Sequence, residues 1–387
     1  MHAYKYLIVG GGMTGHAAAA AIRELDPEGS LGMIGDERVP PYARPPLSKG
    51  LWAGGDRGAV FLPALTGLVH HAGRRAVALD PKKHEVVDER GEQYRYEKLL
   101  LATGGTPRKL PIGGDRVIHF RTLADYDRLR ASPGAVVVVG GGFIGTEIAA
   151  GLSRDGRDVT MIFPETGLGA RVWPAELSGY VTRYYEEKGV RLLRGHSVAG
   201  LEEAGDRLLV RTTGGERVLC DVVVAGLGIR PDTALAESGG LAVSDGVDVD
   251  EGLRTSAPDV WAAGDVARVW SPALGERVRV EHEDNALTMG REAGRAMAGQ
   301  PVTWLHLPFF YSDLFDLGYE AVGKLDARME LVTSWRGGMR QGVVYYLELG
   351  RVKGVLLWGI FGQVEVAREL IRRQRPVAAD ELRTAIP

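Results

Sequence analysis

The chain has 387 residues, 45% apolar and 25% charged, and its 47 basic and 50 acidic side chains leave a net charge of −3. This length predicts two to three domains, and the composition together with the charge balance excludes a disordered chain, a collagen and a polycationic nucleic-acid-binding protein. The single cysteine, Cys220, excludes an intramolecular disulfide, a two-cysteine redox centre and a four-thiolate iron–sulfur cluster.

The segment from Met1 to Ala21 is rich in apolar side chains but does not have the pattern of a secretory signal peptide. Lys5 is its only formally cationic side chain, and three consecutive glycines at residues 10–12 interrupt the apolar run. The apolar stretch at residues 136–144 is also interrupted by glycines and is far shorter than the ~20 residues that a membrane helix needs. We therefore predict a cytoplasmic protein that binds neither membranes nor nucleic acid.

An apolar segment at residues 6–9 leads into a glycine turn, and an alanine-rich segment follows at residues 17–25. This order predicts a strand, a tight turn and a helix. Gly10, Gly12 and Gly15 have the GxGxxG spacing, in which the first glycine permits the turn and the second lets a pyrophosphate approach the backbone. The third lets the helix pack closely on the strand, and free N–H groups at the start of the helix favour phosphate.

The same order of segments occurs a second time, further along the chain. An apolar segment at residues 135–139 leads into Gly140, Gly142 and Gly145, and a helix is predicted through residues 147–152. One GxGxxG pattern is a weak signal. Two copies, each with its strand and helix in place, predict two dinucleotide-binding sites in one chain.

Each turn is followed by a second predicted strand and an acidic residue. The strand at residues 30–34 precedes Asp36, and the strand at residues 159–163 precedes Glu165. An acid that follows the glycine turn by about 20 residues accepts hydrogen bonds from an adenosine ribose, and both acids stand at this distance. Two such sites predict electron transfer between two dinucleotides, because flavin and nicotinamide rings are the reactive parts of these cofactors.

A proline-rich loop at residues 40–50 lies between the two turns. Its rigid backbone is suited to hold Arg44 and Lys49 against a ligand, although an ordinary surface turn has the same composition.

With this loop, the chain resembles the flavoprotein reductases of the glutathione-reductase structural class, and within it the ferredoxin and rubredoxin reductases and apoptosis-inducing factor. The matching segments span about residues 4–323, and they are residues 41–49, 101–104, 107–108, 120–123, 260–266 and 318–321. The resemblance implies an α/β fold with two Rossmann-like dinucleotide-binding domains and a C-terminal α+β domain. It implies a discontinuous FAD-binding domain at residues 1–112 and 245–305, an NAD(H)-binding domain at residues 113–244, and the C-terminal domain at residues 306–387.

The resemblance also implies which cofactor each turn binds, with FAD at the first turn and NADH at the second. Tyr311 falls where apoptosis-inducing factor has a tryptophan near the flavin. The implied cofactor-binding residues are Gly10, Gly12, Met13, Thr14, Gly15, Asp36, Glu37, Arg44, Lys49, Val77, Thr103, Gly104, Arg121, Gly140, Gly142, Phe143, Ile144, Gly145, Glu165, Arg171, Gly226, Gly264, Asp265, Glu281, His282 and Tyr311.

Two of the implied residues have a catalytic role. In the family a lysine and a glutamate at the positions of Lys49 and Glu147 form an ion pair beside the reactive end of the flavin. A lysine ammonium there stabilises negative charge that develops on the reduced flavin. The alternative for Glu147 is a solvated helix glutamate.

The preferred nucleotide follows from the acid at the second site. Glu165 accepts from a ribose 2′-hydroxyl and repels a 2′-phosphate, which favours NADH over NADPH, whereas Arg171 lies close enough in sequence to reach a phosphate.

The cysteine count bears on the electron acceptor. The disulfide, peroxidase and coenzyme A disulfide reductases of this fold carry cysteine in the first domain, and here no cysteine precedes Cys220, for which we predict a buried structural role in a strand-like run at residues 217–225. The implied partner is a small iron–sulfur carrier, ferredoxin or rubredoxin. The alternatives are a redox-sensing protein that resembles apoptosis-inducing factor, and an NADH oxidase.

The C-terminal part of the chain, after residue 323, carries no sharp motif. We predict strands at residues 329–335, 342–349 and 352–360, and a helix at residues 363–374 that ends before Pro376. Arginines at 368, 372, 373 and 375 form either a basic docking surface or an ordinary solvated helix face. We predict no metal site, because His70 and His71 lie in a predicted loop without further ligands, and the chain is expected to be a monomer or a homodimer.

Overall fold

The computed structural model describes residues 1–386, and these residues form two compact units. The first unit consists of Met1–Ala43, Gly58–Thr106 and Arg230–Pro308, and the second consists of Arg44–Arg57, Pro107–Ile229 and the residues from Phe309 onward. This division into two units does not test the three-domain boundaries inferred from the sequence, and those boundaries remain a prediction.

Strands and α-helices alternate at residues 2–35 and 117–194, and runs of consecutive strands make up much of the rest of the described chain. The strands up to residue 163 are His2–Val9 (β1), Leu31–Gly35 (β2), Leu68–Ala72 (β3), Ala76–Asp80 (β4), Glu85–Asp88 (β5), Gln93–Leu101 (β6), Gly105–Pro107 (β7), Val117–His119 (β8), Val136–Val139 (β9) and Val159–Phe163 (β10). The next are Arg191–Arg194 (β11), Val198–Ala204 (β12), Arg207–Thr212 (β13), Arg217–Cys220 (β14), Val222–Ala225 (β15), Ile229–Pro231 (β16), Val243–Ser244 (β17), Gly246–Asp248 (β18), Val260–Ala262 (β19), Ala267–Ser271 (β20) and Glu276–Val278 (β21). The last are Phe309–Leu314 (β22), Leu317–Gly323 (β23), Glu330–Arg336 (β24), Gln341–Glu348 (β25) and Arg351–Trp358 (β26).

The α-helices of the described residues are Met13–Leu25 (α1), Leu123–Ala131 (α2), Phe143–Arg154 (α3), Ala175–Glu187 (α4), Ala234–Ser238 (α5), Glu283–Met297 (α6), Val364–Arg372 (α7) and Ala379–Arg383 (α8). Short 3₁₀ helices lie at Pro45–Leu47, Gly50–Ala53, Gly58–Val60, Gly114–Arg116 and Gly264–Val266. None of the helices within residues 1–386 combines the length and the apolar character needed to span a membrane.

The first unit is built on a sheet in the order β3-β2-β1-β6-β5-β4, with β19 paired to β6. The strands β3, β2, β1, β6 and β19 run parallel, so the chain crosses over through α1 between β1 and β2. Residues Leu7 and Ile8 of β1 are fully buried, as a parallel strand covered on both faces requires. This is the Rossmann-like arrangement expected of the first glycine turn.

The second unit contains a parallel sheet in the order β11-β10-β9-β15-β8, which is the second Rossmann-like arrangement. A three-stranded antiparallel sheet, β12-β13-β14, belongs to the same unit, as does an antiparallel sheet in the order β22-β23-β26-β25-β24. The fold class expected from the sequence is therefore confirmed, with mixed α/β units and parallel sheets.

One local expectation was wrong, and a second was correct except at one residue. His70 and His71 lie in β3 rather than in a loop, because this segment pairs in register with Met33 and Ile34 of β2. The run at residues 217–225 is not one strand, since Asp221 interrupts it and accepts a hydrogen bond from the Ala135 backbone N–H at 2.6 Å. The segment before Asp221 joins the antiparallel sheet, and the segment after it joins the parallel sheet.

The predicted basic cluster near the C-terminus consists of paired arginines. Arg368 is buried and lies 2.5 Å from Glu365, with its guanidinium 5.7 Å from the centre of the Phe309 ring. Arg375 lies 2.5 Å from Glu381, which also lies 3.9 Å from Arg373. These ion pairs balance much of the positive charge, which favours a charged helix face over a basic docking surface.

Candidate functional site

The first glycine turn has three positions with different steric surroundings. Gly10 has a φ of +126°, and a Cβ there would lie 2.0 Å from the Ala102 carbonyl oxygen. A Cβ at Gly15 would lie 2.1 Å from the Gly10 carbonyl oxygen, whereas a Cβ at Gly12 would meet no atom within 4 Å. The first and third glycines are therefore required by packing, and the second leaves open space at the start of α1. That space fits a pyrophosphate at a helix N-terminus.

The residues around this turn come from distant parts of the first unit. Met13 and Thr14 begin α1 and are buried. A Cβ at Gly264 would lie 2.3 Å from Thr14 Oγ1, so the 3₁₀ turn that carries Asp265 packs directly on the start of α1. Thr103 donates its hydroxyl to the Asp232 carbonyl at 2.7 Å.

The predicted acidic residues after β2 already have partners within the unit. Asp36 lies 2.7 Å from the Arg75 guanidinium, and both side chains are exposed. Glu37 accepts a hydrogen bond from the Tyr42 hydroxyl at 2.6 Å.

Two further predicted cofactor-binding residues lie in the same unit. Val77 is exposed on β4, and the Gly104 carbonyl accepts a hydrogen bond from the Asp232 backbone N–H at 3.0 Å.

Glu281 and His282 immediately precede α6. Arg279 ties this segment to the 3₁₀ turn, because it donates to the Asp265 carbonyl at 3.2 Å and to Glu281 at 2.6 Å. The ring of His282 retains part of its exposure, but the surrounding protein desolvates it and lowers its pKa to about 4, against the opposing charges of Asp265 and Asp284. His282 is therefore a neutral imidazole at physiological pH.

The second glycine turn repeats the steric pattern of the first. Gly140 has a φ of +114°, and its Cβ would lie 2.5 Å from the Gly226 carbonyl oxygen. A Cβ at Gly145 would lie 2.1 Å from the Gly140 oxygen, and a Cβ at Gly142 would meet nothing within 4 Å. A Cβ at Gly226 would lie 2.8 Å from the Gly145 nitrogen, so this residue also packs on the turn. The second turn thus has its own open space for a phosphate.

Glu165, the acid that follows the second turn, forms an ion pair with Arg171. The Arg171 guanidinium lies 2.5 Å from Glu165 Oε1, with the arginine side chain 80% exposed and the glutamate 20% exposed. At the start of α3, the Phe143 ring packs 5.3 Å from the Phe310 ring, whereas Ile144 is exposed.

Glu147 is the centre of a buried polar cluster in the second unit. It lies on α3, is 3% exposed, and its Oε2 accepts from Lys49 Nζ at 2.7 Å. The same oxygen accepts from the Ser48 hydroxyl at 2.6 Å, and Oε1 accepts from the Ser312 hydroxyl at 2.6 Å. We call these four residues the Glu147 cluster. Glu147 is therefore not a solvated helix glutamate, which was the alternative interpretation of this residue.

Aromatic side chains surround the Glu147 cluster. The Lys49 ammonium lies 5.3 Å from the centre of the Tyr311 ring, within the range of a cation–π contact. Burial raises the pKa of Tyr185 and of Tyr319, and the negative charge of Glu147 raises both further. Both phenols are therefore neutral beside the carboxylate.

Arg44 and Arg121 also come together in the second unit. The Arg44 guanidinium donates to the Arg121 carbonyl oxygen at 2.9 Å. Thr122, next in the chain, forms a capping box with Asp125 at the start of α2, which fixes the backbone of this segment.

Two members of the Glu147 cluster were missed by sequence reasoning. Ser48 directly precedes Lys49 in the proline-rich loop, and Ser312 directly follows Tyr311. Their only signal was adjacency to a selected residue. The contact between Ser312 and Glu147 joins residues 165 positions apart in the chain.

The only cysteine of the chain is not part of any of these sites. Cys220 is fully buried in β14, and burial raises the pKa of its thiol to about 11. It packs in an apolar cluster with Val137, Val210 and Val218. A neutral, buried thiol of this kind has a structural role.

Comparison with known proteins agrees with this geometry. Residues 4–290 match the family described as pyridine nucleotide-disulphide oxidoreductase. A 5,5′-dehydrodivanillate O-demethylase ferredoxin reductase subunit from Sphingobium sp. is 37% identical over 374 residues, which cover 90% of this chain and 88% of that protein. The mitochondrial apoptosis-inducing factor 1 of Dictyostelium discoideum is 31% identical and covers 97% of this chain and 79% of its own length.

Solved structures show the same likeness. The crystal structure of a covalent complex of putidaredoxin reductase and putidaredoxin superposes on this chain with a TM-score of 0.90 at 28% identity, covering 98% of this chain and 95% of the other. The family match extends over well more than half of the chain and includes both glycine turns. The chain belongs to the pyridine nucleotide-disulphide oxidoreductase family, whose members are oxidoreductases that depend on FAD and NAD(P)H.

Proposed function

We propose that the protein is an FAD flavoprotein that oxidises NADH and passes the electrons to a small iron–sulfur carrier of the ferredoxin or rubredoxin type. The observation that carries the proposal is the pair of glycine turns, each with an open second glycine at a helix start. When bound, the two cofactors supply hydride transfer from the nicotinamide C4 to the flavin N5 and release of single electrons.

The first turn and its surroundings would hold FAD. Gly12 leaves room for the pyrophosphate, and Asp36 provides a carboxylate for the adenosine ribose, where its present partner Arg75 is exposed and able to move. Asp265 and the neutral imidazole of His282 provide further polar groups of the same unit, in agreement with the residues implied by the family resemblance.

The second turn would hold NADH. Gly142 leaves room for the pyrophosphate, and Glu165 provides an acceptor for the ribose hydroxyls. Because Glu165 is the less exposed member of its ion pair, it has the more fixed position, and the exposed Arg171 is the more mobile partner. This arrangement favours NADH over NADPH.

The Glu147 cluster would supply the charge at the reactive end of the flavin. Lys49 presents an ammonium that stabilises developing negative charge, and Glu147 holds that ammonium in place from the protein side. The lysine side chain is 14% exposed, so its charge is only weakly screened by water.

The acceptor is inferred from the missing thiol and from the relatives. With Cys220 buried in β14, the described residues provide no thiol that could relay electrons to a disulfide or peroxide. Two of the compared proteins are named as a ferredoxin reductase subunit and as a putidaredoxin reductase crystallised with putidaredoxin. These observations support a small iron–sulfur protein as the partner.

A second candidate is a redox-sensing protein in which NADH reduces the flavin and a long-lived complex forms. It is favoured by the 31% identity with an apoptosis-inducing factor over 97% of this chain. An NADH oxidase, which would pass electrons directly to oxygen, is the third.

The three candidates are separated by one experiment on the purified yellow protein. The protein is reduced with NADH without oxygen, then mixed with oxidised ferredoxin, with rubredoxin or with air, and the visible flavin absorbance is followed. Fast reoxidation by a carrier supports the proposed reductase. A long-wavelength band that persists with carriers and with air supports the sensor, and fast reoxidation by air alone supports the oxidase.

A further inference from the structure

The Glu147 carboxylate has donors on both of its oxygens. Lys49 and Ser48 share Oε2, at 2.7 and 2.6 Å, and Ser312 donates to Oε1 at 2.6 Å. All three distances are those of strong, charge-assisted hydrogen bonds. The ion pair with Lys49 thus accounts for only one of the three interactions that hold this carboxylate.

The serines are at least as buried as many residues of the apolar core. Ser312 is 1% exposed and Ser48 is 5% exposed, beside Glu147 at 3%. A buried carboxylate with an unsatisfied oxygen is costly, so removal of a hydroxyl is expected to make Glu147 seek another donor. Lys49 is the member of the cluster best able to move, because four rotatable bonds carry its ammonium.

Ser312 also has a defined backbone. It lies in β22, where it pairs with Tyr319 of β23 in an antiparallel register that continues from Phe309 to Leu314. The preceding residue, Tyr311, places its ring against the Lys49 ammonium. One strand therefore contacts both members of the ion pair, with Ser312 on the carboxylate and Tyr311 on the ammonium.

We propose that Ser312, assisted by Ser48, is a positioning residue that orients the Glu147 carboxylate so that the Lys49 ammonium is held in one place toward the flavin. The inference rests on the proposed function, because it gives Ser312 a role only if Lys49 acts on the flavin. It adds Ser312, on strand β22 of the C-terminal part of the chain, to the Lys49–Glu147 ion pair that the family resemblance implies.

The test measures the reduction potential of the bound flavin at equilibrium, together with the rate of its reduction at saturating NADH. The variants are Ser312→Ala, Glu147→Gln, the double variant, and Ser312→Thr, which retains the hydroxyl. Ser178→Ala is the matched control, because Ser178 is similarly buried in the same unit but donates to the Leu168 carbonyl at 2.7 Å.

We expect Ser312→Ala to lower the flavin potential and to slow reduction by NADH about tenfold, because a displaced Lys49 ammonium costs less than the roughly 100-fold expected when such a donor is removed altogether. Ser312→Thr should keep the wild-type potential and rate, and Ser178→Ala should change neither. In the Glu147→Gln background, Ser312→Ala should have no additional effect, because its action passes through Glu147. If Ser312→Ala does not fold, Ser48→Ala is compared with Glu147→Gln in the same way.

The inference is overturned if Ser312→Ala keeps the wild-type potential and rate while Lys49→Met changes them. It is also overturned if Ser312→Ala has the same effect with and without Glu147, since the role would then be structural. Failure of the proposed function looks different, because Lys49→Met itself would leave reduction by NADH unchanged or the reduced wild-type protein would not reduce a carrier.

Discussion

The two glycine turns have the same steric design but different helices behind them. At both turns a Cβ on the first or third glycine would lie within about 2.5 Å of a backbone atom, whereas a Cβ on the second glycine would enter open space. Two residues after the third glycine, however, α1 has Ala17 and α3 has Glu147. The first helix only completes a binding turn, whereas the second also carries a buried charge.

The two helices also have different neighbours. Helix α1 packs against α6 at Gly290 and Gly294, where a Cβ would lie 2.4 Å from the carbonyl oxygens of Thr14 and Ala18. Such close packing leaves no room for a long side chain between the two helices, where Ala18 is fully buried. Helix α3 instead meets the Trp52 side chain at Gly151 and the hydroxyls that bind Glu147. A shared turn motif therefore does not fix what the following helix contributes.

The largest expected effect separates binding from packing at the first turn. Gly12→Ala should abolish FAD retention without lowering the unfolding temperature of the FAD-free protein, because its Cβ enters only the open space. Gly10→Ala should lower the unfolding temperature as well, since it combines a positive φ with a clash against the Ala102 carbonyl.

Flavin content after gel filtration and thermal unfolding followed by circular dichroism check this pair. Gly142→Ala is the matched variant at the second turn, where FAD should be retained and the affinity for NADH should fall. Loss of FAD from Gly142→Ala, with retention by Gly12→Ala, would reverse the assignment of the two turns.

The next effect concerns the charge that distinguishes the second helix. Lys49→Met should slow reduction by NADH about 100-fold, the scale observed when one preorganised donor to a developing charge is removed. Stopped-flow absorbance at saturating NADH measures this rate. Lys188→Met, on the surface of the same unit, is the control, and equal rates for the two variants would remove Lys49 from the mechanism.

A smaller effect tests the first unit alone. Because the pKa of His282 lies at about 4 in the folded chain and near 6.5 when unfolded, the unfolded chain binds the proton first as the pH falls. The free energy of unfolding should therefore decrease as the pH falls from about 7 to 4, by about 2 kcal/mol, and His282 should contribute no further change above about pH 7.5.

Urea unfolding across this pH range, at a fixed excess of FAD, measures the effect. His282→Asn should flatten the pH dependence relative to the wild type. His2→Asn serves as a surface control in the same unit, and an unchanged pH profile for His282→Asn would show that the histidine is not held neutral.

The smallest effect compares the acids of the two turns. Glu165→Ser should shift the ratio of kcat/KM for NADH and NADPH about tenfold toward NADPH, since a like charge opposite the 2′-phosphate is removed and Arg171 remains. Asp36→Ser should weaken FAD binding but leave this ratio unchanged. A change of nucleotide preference in Asp36→Ser would contradict the division between the turns.

The sequence predicted local features well and long-range contacts poorly. The glycine turns and their flanking strands depend on neighbouring residues, so the spacing of Gly10, Gly12 and Gly15 was sufficient to predict strand, turn and helix. The position of His70 in β3 depends on pairing with β2, which local composition does not encode. Ser312 meets Glu147 only after the second unit has folded, and its adjacency to Tyr311 in the sequence does not indicate this contact.

The central claim is that electrons pass from NADH through the flavin to a carrier that accepts one electron at a time. Without oxygen, a known amount of NADH is added to a catalytic amount of the protein and an excess of oxidised [2Fe–2S] ferredoxin, and the reduced ferredoxin is counted by electron paramagnetic resonance. We predict two reduced ferredoxins for each NADH consumed, and no reduction when the Gly12→Ala variant replaces the wild type. Consumption of NADH that stops once the flavin is reduced, with the ferredoxin still oxidised, would contradict the account.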